Sequence, residues 1–113
     1  MKRVVAIAIL LLLVAGVAFG QQMRRGDWKV TVPAYHPTTP LTVTVTVDRN
    51  GRITRIAPGP HAETPAFANP VWQTMIPVMI EKQTWDVDIV AGSTITANAL
   101  KEAVKQAMAQ ARP

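Results

Sequence analysis

The chain has 113 residues, no cysteine and a formal charge of +5 at neutral pH. This length suits one small domain, and without cysteine that domain cannot be stabilised by disulfides. Basic residues occur only in short clusters such as Arg24-Arg25, whereas nucleic-acid-binding domains usually carry a dense basic stripe interleaved with aromatic residues. We therefore expect a single domain whose partners do not include nucleic acid.

The N-terminal segment has the pattern of an export signal. Lys2-Arg3 precedes an uncharged apolar run over residues 4–19, and Ala18-Phe19-Gly20 places small residues where a signal peptidase cleaves. A membrane-spanning helix needs about 20 apolar residues, and this run is shorter. The sequence thus predicts a signal peptide over residues 1–20, with an uncleaved membrane anchor as the alternative, and an exported, periplasmic or extracytoplasmic domain over residues 21–113.

Three short segments alternate between apolar and polar residues, as strands with one buried face do, and a fourth strand is predicted from the turn before it. The most regular is Leu41–Val47, in which Leu and Val face one way and Thr faces the other. Residues 27–32 alternate in the same manner. Asn50-Gly51 predicts a tight turn that returns the chain along residues 53–56. Residues 85–89 predict a further short strand.

Two segments have helical patterns. Asn69-Pro70 forms a typical helix start before residues 71–76, and Pro77 predicts a kink or a second turn. Residues 97–111 predict the stronger helix, with Thr96 as its N-cap and an apolar face made of Leu100, Val104, Ala107, Met108 and Ala111. The predicted fold class is α+β, a small antiparallel sheet of three or four strands packed with helices.

The segment before the stronger helix carries the candidate chemistry. Gly92 permits a sharp turn or a close approach to a ligand. Ser93, Thr94 and Thr96 present hydroxyl groups just before the helix. The free amides and the dipole of a helix N-terminus attract phosphate. On this ground alone the hydroxyl groups have two interpretations, ordinary helix capping, which is the more common, and an anion site.

This segment resembles the flavinylation motif of the FMN-binding domain family. The family occurs in subunits of sodium-pumping NADH:quinone reductase and Rnf-type complexes, and in exported flavoproteins similar to fumarate and urocanate reductases. Its motif reads Asp-x-x-Ser/Thr-Gly-Ala-Thr/Ser-x-Thr/Ser, and the matching residues here are Asp88, Gly92, Thr94 and Thr96. Two positions depart from the motif, because Ala91 replaces the usual Ser or Thr and Ser93 replaces the usual Ala.

The resemblance extends upstream and covers residues 41–111. The hairpin with its Asn-Gly turn is similar to the family's hairpin, and Gln83 also falls where the family leads us to expect it. Glu63-Thr64-Pro65 resembles the family's Glu-Thr-Pro loop. The resemblance implies that Glu63 and Thr64 approach the flavin, whereas a solvated loop is the alternative.

The resemblance also implies a covalent cofactor. In the family, an FAD:protein FMN transferase that uses Mg²⁺ moves FMN from FAD onto the motif's Thr, releasing AMP and leaving a phosphodiester. By that resemblance the acceptor here is Thr94, and Asp88 is read by the transferase or orders the turn. Ser93 is a second possible acceptor beside it.

The implied function is an electron-transfer module. A redox partner, either a separate reductase or a membrane electron-transport complex, would exchange electrons with the bound FMN. A stand-alone enzyme is the less favoured alternative, because no nucleophile–base set is evident. A module that binds flavin without a covalent bond or lacks it, and an accessory flavin domain of a reductase, also stay open. The sequence predicts no metal site, since His36 and His61 are far apart, and it predicts core positions for the three tryptophans.

Overall fold

The computed structural model describes residues 22–34, 38–59, 63 and 65–113. Three strands, β1 (Gly26–Val32), β2 (Leu41–Val47) and β3 (Ile53–Pro58), form one antiparallel sheet in the order β1-β2-β3. Two helices follow, α1 (Pro65–Lys82) and α2 (Thr94–Ala111). This arrangement confirms the predicted α+β class. The predictions for residues 1–20, Thr64 and both histidines lie outside the described residues.

The sheet has one buried face, as the alternation predicts. The side chains of Leu41, Val43, Val45 and Val47 are at most 2% exposed, while the intervening threonines of β2 are half-buried. The turn between β2 and β3 is built on Asp48, whose Oδ1 accepts the amide hydrogens of Asn50 and Arg52 at 2.9 and 3.0 Å. Gly51 takes the positive φ, +77°, that lets the chain reverse.

Helix α2 covers the buried face of β1 and β2. The predicted apolar face is confirmed, because all five of its residues are buried. Four alanines on this face, Ala97, Ala103, Ala107 and Ala111, have no measurable exposure. Small side chains let the helix axis come close to the sheet, so that the valines and leucine of β2 fill the space between the two layers.

Helix α1 is longer than the sequence predicts. It begins at Pro65 and continues through both Pro70 and Pro77 to Lys82. The prediction of a helix start at Asn69-Pro70 was therefore wrong, and no separate second turn begins at Pro77. Proline removes an amide and strains the preceding turn, but α1 also buries an apolar face against β3 and α2. Burial of that face, formed by Ala68, Val71, Met75 and Met79, offsets the two lost hydrogen bonds.

The predicted strand over residues 85–89 is not part of the sheet, which has three strands among the described residues. The segment is irregular, and its alternation reflects burial of Val87 between exposed Asp86 and Asp88. Trp85 is half-buried, with the ammonium groups of Lys101 and Lys105 at 5.7 and 5.0 Å from its ring centre. The alternation therefore follows packing against α2, without strand pairing.

Gln83 ends α1 and also contacts the sheet. Its φ is +56°, which stops the helix. Its side-chain oxygen accepts the amide hydrogen of Ile53 at 2.7 Å, and its side-chain nitrogen donates to the carbonyl of Ile53 at 2.9 Å. The carboxamide therefore pairs with β3 as a neighbouring peptide group would.

The chain enters the domain beside the C-terminal end of α2. The Arg24 amide donates to the Ala111 carbonyl at 2.6 Å, and the Arg24 guanidinium donates to the carbonyls of Ala111 and Gln110 at 3.3 and 2.8 Å. The guanidinium also lies 5.0 Å from the ring centre of Trp28. The turn between β2 and β3 lies at the same end, since a Cβ on Gly51 would meet Gln22 and Met23 at 3.2 Å.

Candidate functional site

The candidate site is the turn that leads into α2. The Ser93 amide donates to the Val90 carbonyl at 3.3 Å, and Gly92 has a φ of +85°. A turn with positive φ at its third residue strongly favours glycine there. Apart from Gly92 and its two chain neighbours, no atom of the described residues lies within 4 Å of the place where a Cβ on Gly92 would sit. The turn is therefore open on this side and would let a ligand approach the backbone closely.

Helix α2 begins at Thr94, with Ser93 as the N-cap residue. The prediction of Thr96 as the N-cap was wrong, because Thr96 is the third residue of the helix and is buried. The first intrahelical hydrogen bond runs from the Ala97 amide to the Ser93 carbonyl at 2.9 Å. The amides of the first turn precede that bond and have no intrahelical acceptor. Thr94, the first residue of the helix, is exposed.

Ser93 does not use its hydroxyl group to cap the helix. Its Oγ donates to the carbonyl of Phe67 in α1 at 2.8 Å, and the residue is 8% exposed. The serine that departs from the resembled motif thus ties the turn to the first turn of α1. Ser93 and Thr94 are adjacent in sequence, but only Thr94 presents its hydroxyl group to solvent.

Glu63 and Thr96 form a second, buried link between the same regions. Thr96 Oγ1 donates to Glu63 Oε1 at 2.9 Å, and both residues are 5% exposed. Burial of Glu63 excludes the solvated-loop interpretation for this residue. Glu63 lies two residues before α1, where the helix dipole stabilises a carboxylate. The two links bring the N-terminal ends of α1 and α2 together at the candidate site.

Two exposed apolar side chains border the turn, and sequence reasoning missed both. Phe67, whose carbonyl accepts the Ser93 hydrogen bond, is 56% exposed, and Ile95, which follows Thr94, is 55% exposed. The sequence pattern contains no signal for them, because their exposure depends on how the two helix ends meet.

The remaining predicted residues lie as follows. Asp88 is exposed in the segment before the turn. Trp28, Trp72 and Trp85 are half-buried and pack against the hydrophobic core, as predicted. In the part of the chain that the structure describes, no three His, Cys, Asp or Glu side chains cluster closely enough to hold a metal ion. Nor is any helix there long and apolar enough to cross a bilayer.

Comparison with known proteins finds a matching family model and a similar solved structure. A family model described as "FMN-binding domain" matches residues 38–109, which run from the residues before β2 almost to the end of α2. The fold is similar to the crystal structure of the CPE2226 protein from Clostridium perfringens, with a TM-score of 0.60 and 20% identity, over 80% of this chain and 89% of that chain. At that identity the structural likeness concerns the fold alone. No curated protein matches the chain.

Proposed function

The chain belongs to the FMN-binding domain family, as the sequence resemblance predicts, and we propose that it is an exported electron carrier with FMN esterified to Thr94. The observation that carries the proposal is the contrast between two adjacent hydroxyl groups. Thr94, the first residue of α2, is exposed, whereas Ser93 is buried and its hydroxyl donates to the Phe67 carbonyl. An acceptor for a transferred phosphate group must be accessible, and Thr94 meets that requirement.

The residues around Thr94 fit an FMN phosphate. The open side of Gly92 would admit phosphate oxygens to the backbone, and the first-turn amides of α2 would donate to them. The Glu63–Thr96 and Ser93–Phe67 hydrogen bonds hold the turn in place before any ligand arrives. A site whose backbone is already fixed loses less conformational entropy when it binds.

The exposed side chains of Phe67 and Ile95 would supply apolar contact area for the flavin ring system beside the phosphate. When bound, FMN supplies the electron-transfer chemistry of the module. The protein contributes the position of the flavin and its surroundings. Glu63, one of the predicted site residues, would act as a positioning residue, because its hydrogen bond with Thr96 holds the turn before α2 in place.

Attachment requires a partner enzyme, for which the resemblance implies an FAD:protein FMN transferase with Mg²⁺. The Thr94 hydroxyl would lose its proton, and its oxygen would form a new ester bond to the phosphorus of the FMN half of FAD. The pyrophosphate bond of FAD breaks, and AMP leaves. Asp88 is exposed near the turn, where a transferase could contact it.

The carrier role also requires redox partners. A reductase or a membrane electron-transport complex would deliver electrons, and an acceptor protein would remove them. Such encounters usually use small, weak interfaces that release quickly. Export would place the carrier outside the cytoplasm, and the covalent bond would keep FMN with the protein there.

The test is the intact mass of the chain produced in a host with an active transferase. We expect an added mass of FMN less one water, retained in Ser93→Ala and lost in Thr94→Ala. Thr94→Ser serves as the matched control, because it keeps a hydroxyl group at the same position. Circular dichroism of each variant checks that the fold is intact. Loss of the added mass in Ser93→Ala alone, or its absence from the unchanged chain, would reject Thr94 as the acceptor.

A further inference from the structure

We propose that the end of the domain opposite Thr94 lies against anionic lipid headgroups. Five exposed arginines are gathered there, and we call them the arginine end: Arg24, Arg25, Arg49, Arg52 and Arg112. The proposal concerns a different surface from the candidate flavin site and does not depend on flavin attachment.

Contacts on three elements bring these arginines together. Arg24 donates to the last carbonyls of α2, which places Arg25 and Arg112 beside it. Gly26 pairs with Val47, so the start of β1 lies next to the turn that carries Arg49 and Arg52. The close approach of that turn to Gln22 and Met23 confirms the grouping independently.

The carboxylates at the arginine end are fewer than the cations, so this end keeps a net positive charge. Asp48 directs Oδ1 to the amides of Asn50 and Arg52, and Asp27 accepts a hydrogen bond from Thr46 at 2.7 Å. Lys82 and Glu81 lie at the C-terminal end of α1, which Gln83 joins to Ile53. Arg55 lies in the same row of the sheet as Asp27, because both residues pair with Thr46. This end therefore has seven cationic side chains against three carboxylates.

The rest of the described domain carries a net charge of −1. Three cations there face four carboxylates: Lys29, Lys101, Lys105, Glu63, Asp86, Asp88 and Glu102. The whole net positive charge of the described residues is thus located at one end. A surface of that kind attracts an anionic membrane, with each added basic residue contributing to binding until salt screens it.

The sequence next to the arginine end favours a membrane over an acidic protein as the occupant. The uncharged run over residues 4–19 ends five positions before Arg24. Five extended residues span at most about 18 Å. The apolar run would lie in the bilayer during export, or permanently if it serves as an anchor. In either case the short linker would keep the arginine end within the headgroup layer.

This orientation has a geometric consequence for the candidate site. Thr94 and Ala111 are the first and last residues of α2. At 1.5 Å per residue, the helix separates the two ends by about 26 Å. With the arginine end on the membrane, Thr94 would face away from the lipid, towards proteins that approach from the aqueous side.

The experiment measures which end contacts lipid. The chain has no cysteine, so Asn50→Cys at the arginine end and Ala91→Cys beside the candidate site each give one labelling position. The full chain, with whatever N-terminus the exporting host leaves, is labelled with a fluorophore. It is then mixed with vesicles of phosphatidylcholine, with or without phosphatidylglycerol, that carry a headgroup-attached quencher.

We expect strong fluorescence quenching of the label at position 50 and little quenching at position 91. The quenching at position 50 should require phosphatidylglycerol and should decrease at high salt. Arg49→Gln with Arg52→Gln should need on the order of ten-fold more phosphatidylglycerol for equal quenching. Lys29→Gln with Lys105→Gln removes the same charge elsewhere and should change little. Equal quenching at both positions, no dependence on phosphatidylglycerol, or equal effects of the two double variants would overturn the proposal.

Discussion

The two ends of helix α2 satisfy their backbone groups in opposite ways. At the C-terminal end, the amide and guanidinium of Arg24 donate to the carbonyls of Ala111 and Gln110. At the N-terminal end, Ser93 makes no side-chain cap and directs its hydroxyl group to Phe67 instead. Arg24 thus caps the C-terminal end, whereas the N-terminal amides receive no side-chain cap from Ser93. This difference is what a helix that receives a phosphate at its N-terminus requires.

The ends also differ in the kind of contact that stabilises them. The N-terminal end depends on two hydrogen bonds between largely buried groups, whereas the C-terminal end depends on an exposed cation. Removing one partner of a buried hydrogen bond costs more than removing an exposed charge, because water cannot replace the lost partner. Three substitutions test this comparison, in order of decreasing expected effect.

The largest effect is expected from Thr96→Val. This change removes the hydroxyl group that donates to the buried Glu63 carboxylate, and we expect it to lower the free energy of unfolding by about 2 kcal/mol. Urea unfolding measures the change. Thr96→Ser keeps the donor and should recover most of the loss. If Thr96→Val unfolds at the same urea concentration as the unchanged protein, the buried link does not stabilise this end.

A smaller effect is expected from Arg24→Ala. The substitution removes the charged donor to two carbonyls and the contact with Trp28, at an exposed position, and should cost about 1 kcal/mol. Thermal unfolding compares the stability of Arg24→Ala with that of the unchanged protein. Arg25→Ala removes the same charge without a described side-chain contact and should change stability by less than about 0.5 kcal/mol. Equal losses in both variants would attribute the effect to charge alone.

The smallest effect, and of opposite sign, is expected from Thr94→Glu. A carboxylate on the first residue of α2 should interact with the uncapped amides and raise the free energy of unfolding by about 0.5 kcal/mol at low salt. Thr94→Gln is the uncharged control, and the difference between the two variants should shrink as salt is added. No difference between Glu and Gln would mean that the N-terminal amides are not available to an anion.

Sequence patterns predict the regular parts of this fold because those parts depend on local periodicity. The alternation of Leu41–Val47 corresponds to one buried and one half-buried face, and the spacing from Leu100 to Ala111 corresponds to the buried face of α2. The predictions that were wrong depend on tertiary contacts. Helix α1 continues through Pro70 and Pro77 because burial of its apolar face outweighs the local cost of proline.

The sequence predicts which residues form the candidate site, but it does not predict how they are arranged. The resemblance singles out Gly92, Ser93, Thr94 and Thr96, but it does not separate an exposed hydroxyl group from two buried ones. That separation rests on partners at long sequence distance, because Ser93 contacts Phe67 and Thr96 contacts Glu63. No local rule predicts contacts of that kind, so the prediction of Thr96 as an N-cap was wrong for the same reason.

The carboxamide of Gln83 affects how the domain behaves at high protein concentration. The outer edge of a sheet offers unpaired peptide groups, to which a strand from another molecule can add. At Ile53 this edge of β3 is already occupied, because one side chain supplies both the donor and the acceptor of a neighbouring peptide. The domain can thus be concentrated on a surface while this point of entry for intermolecular strand pairing stays closed.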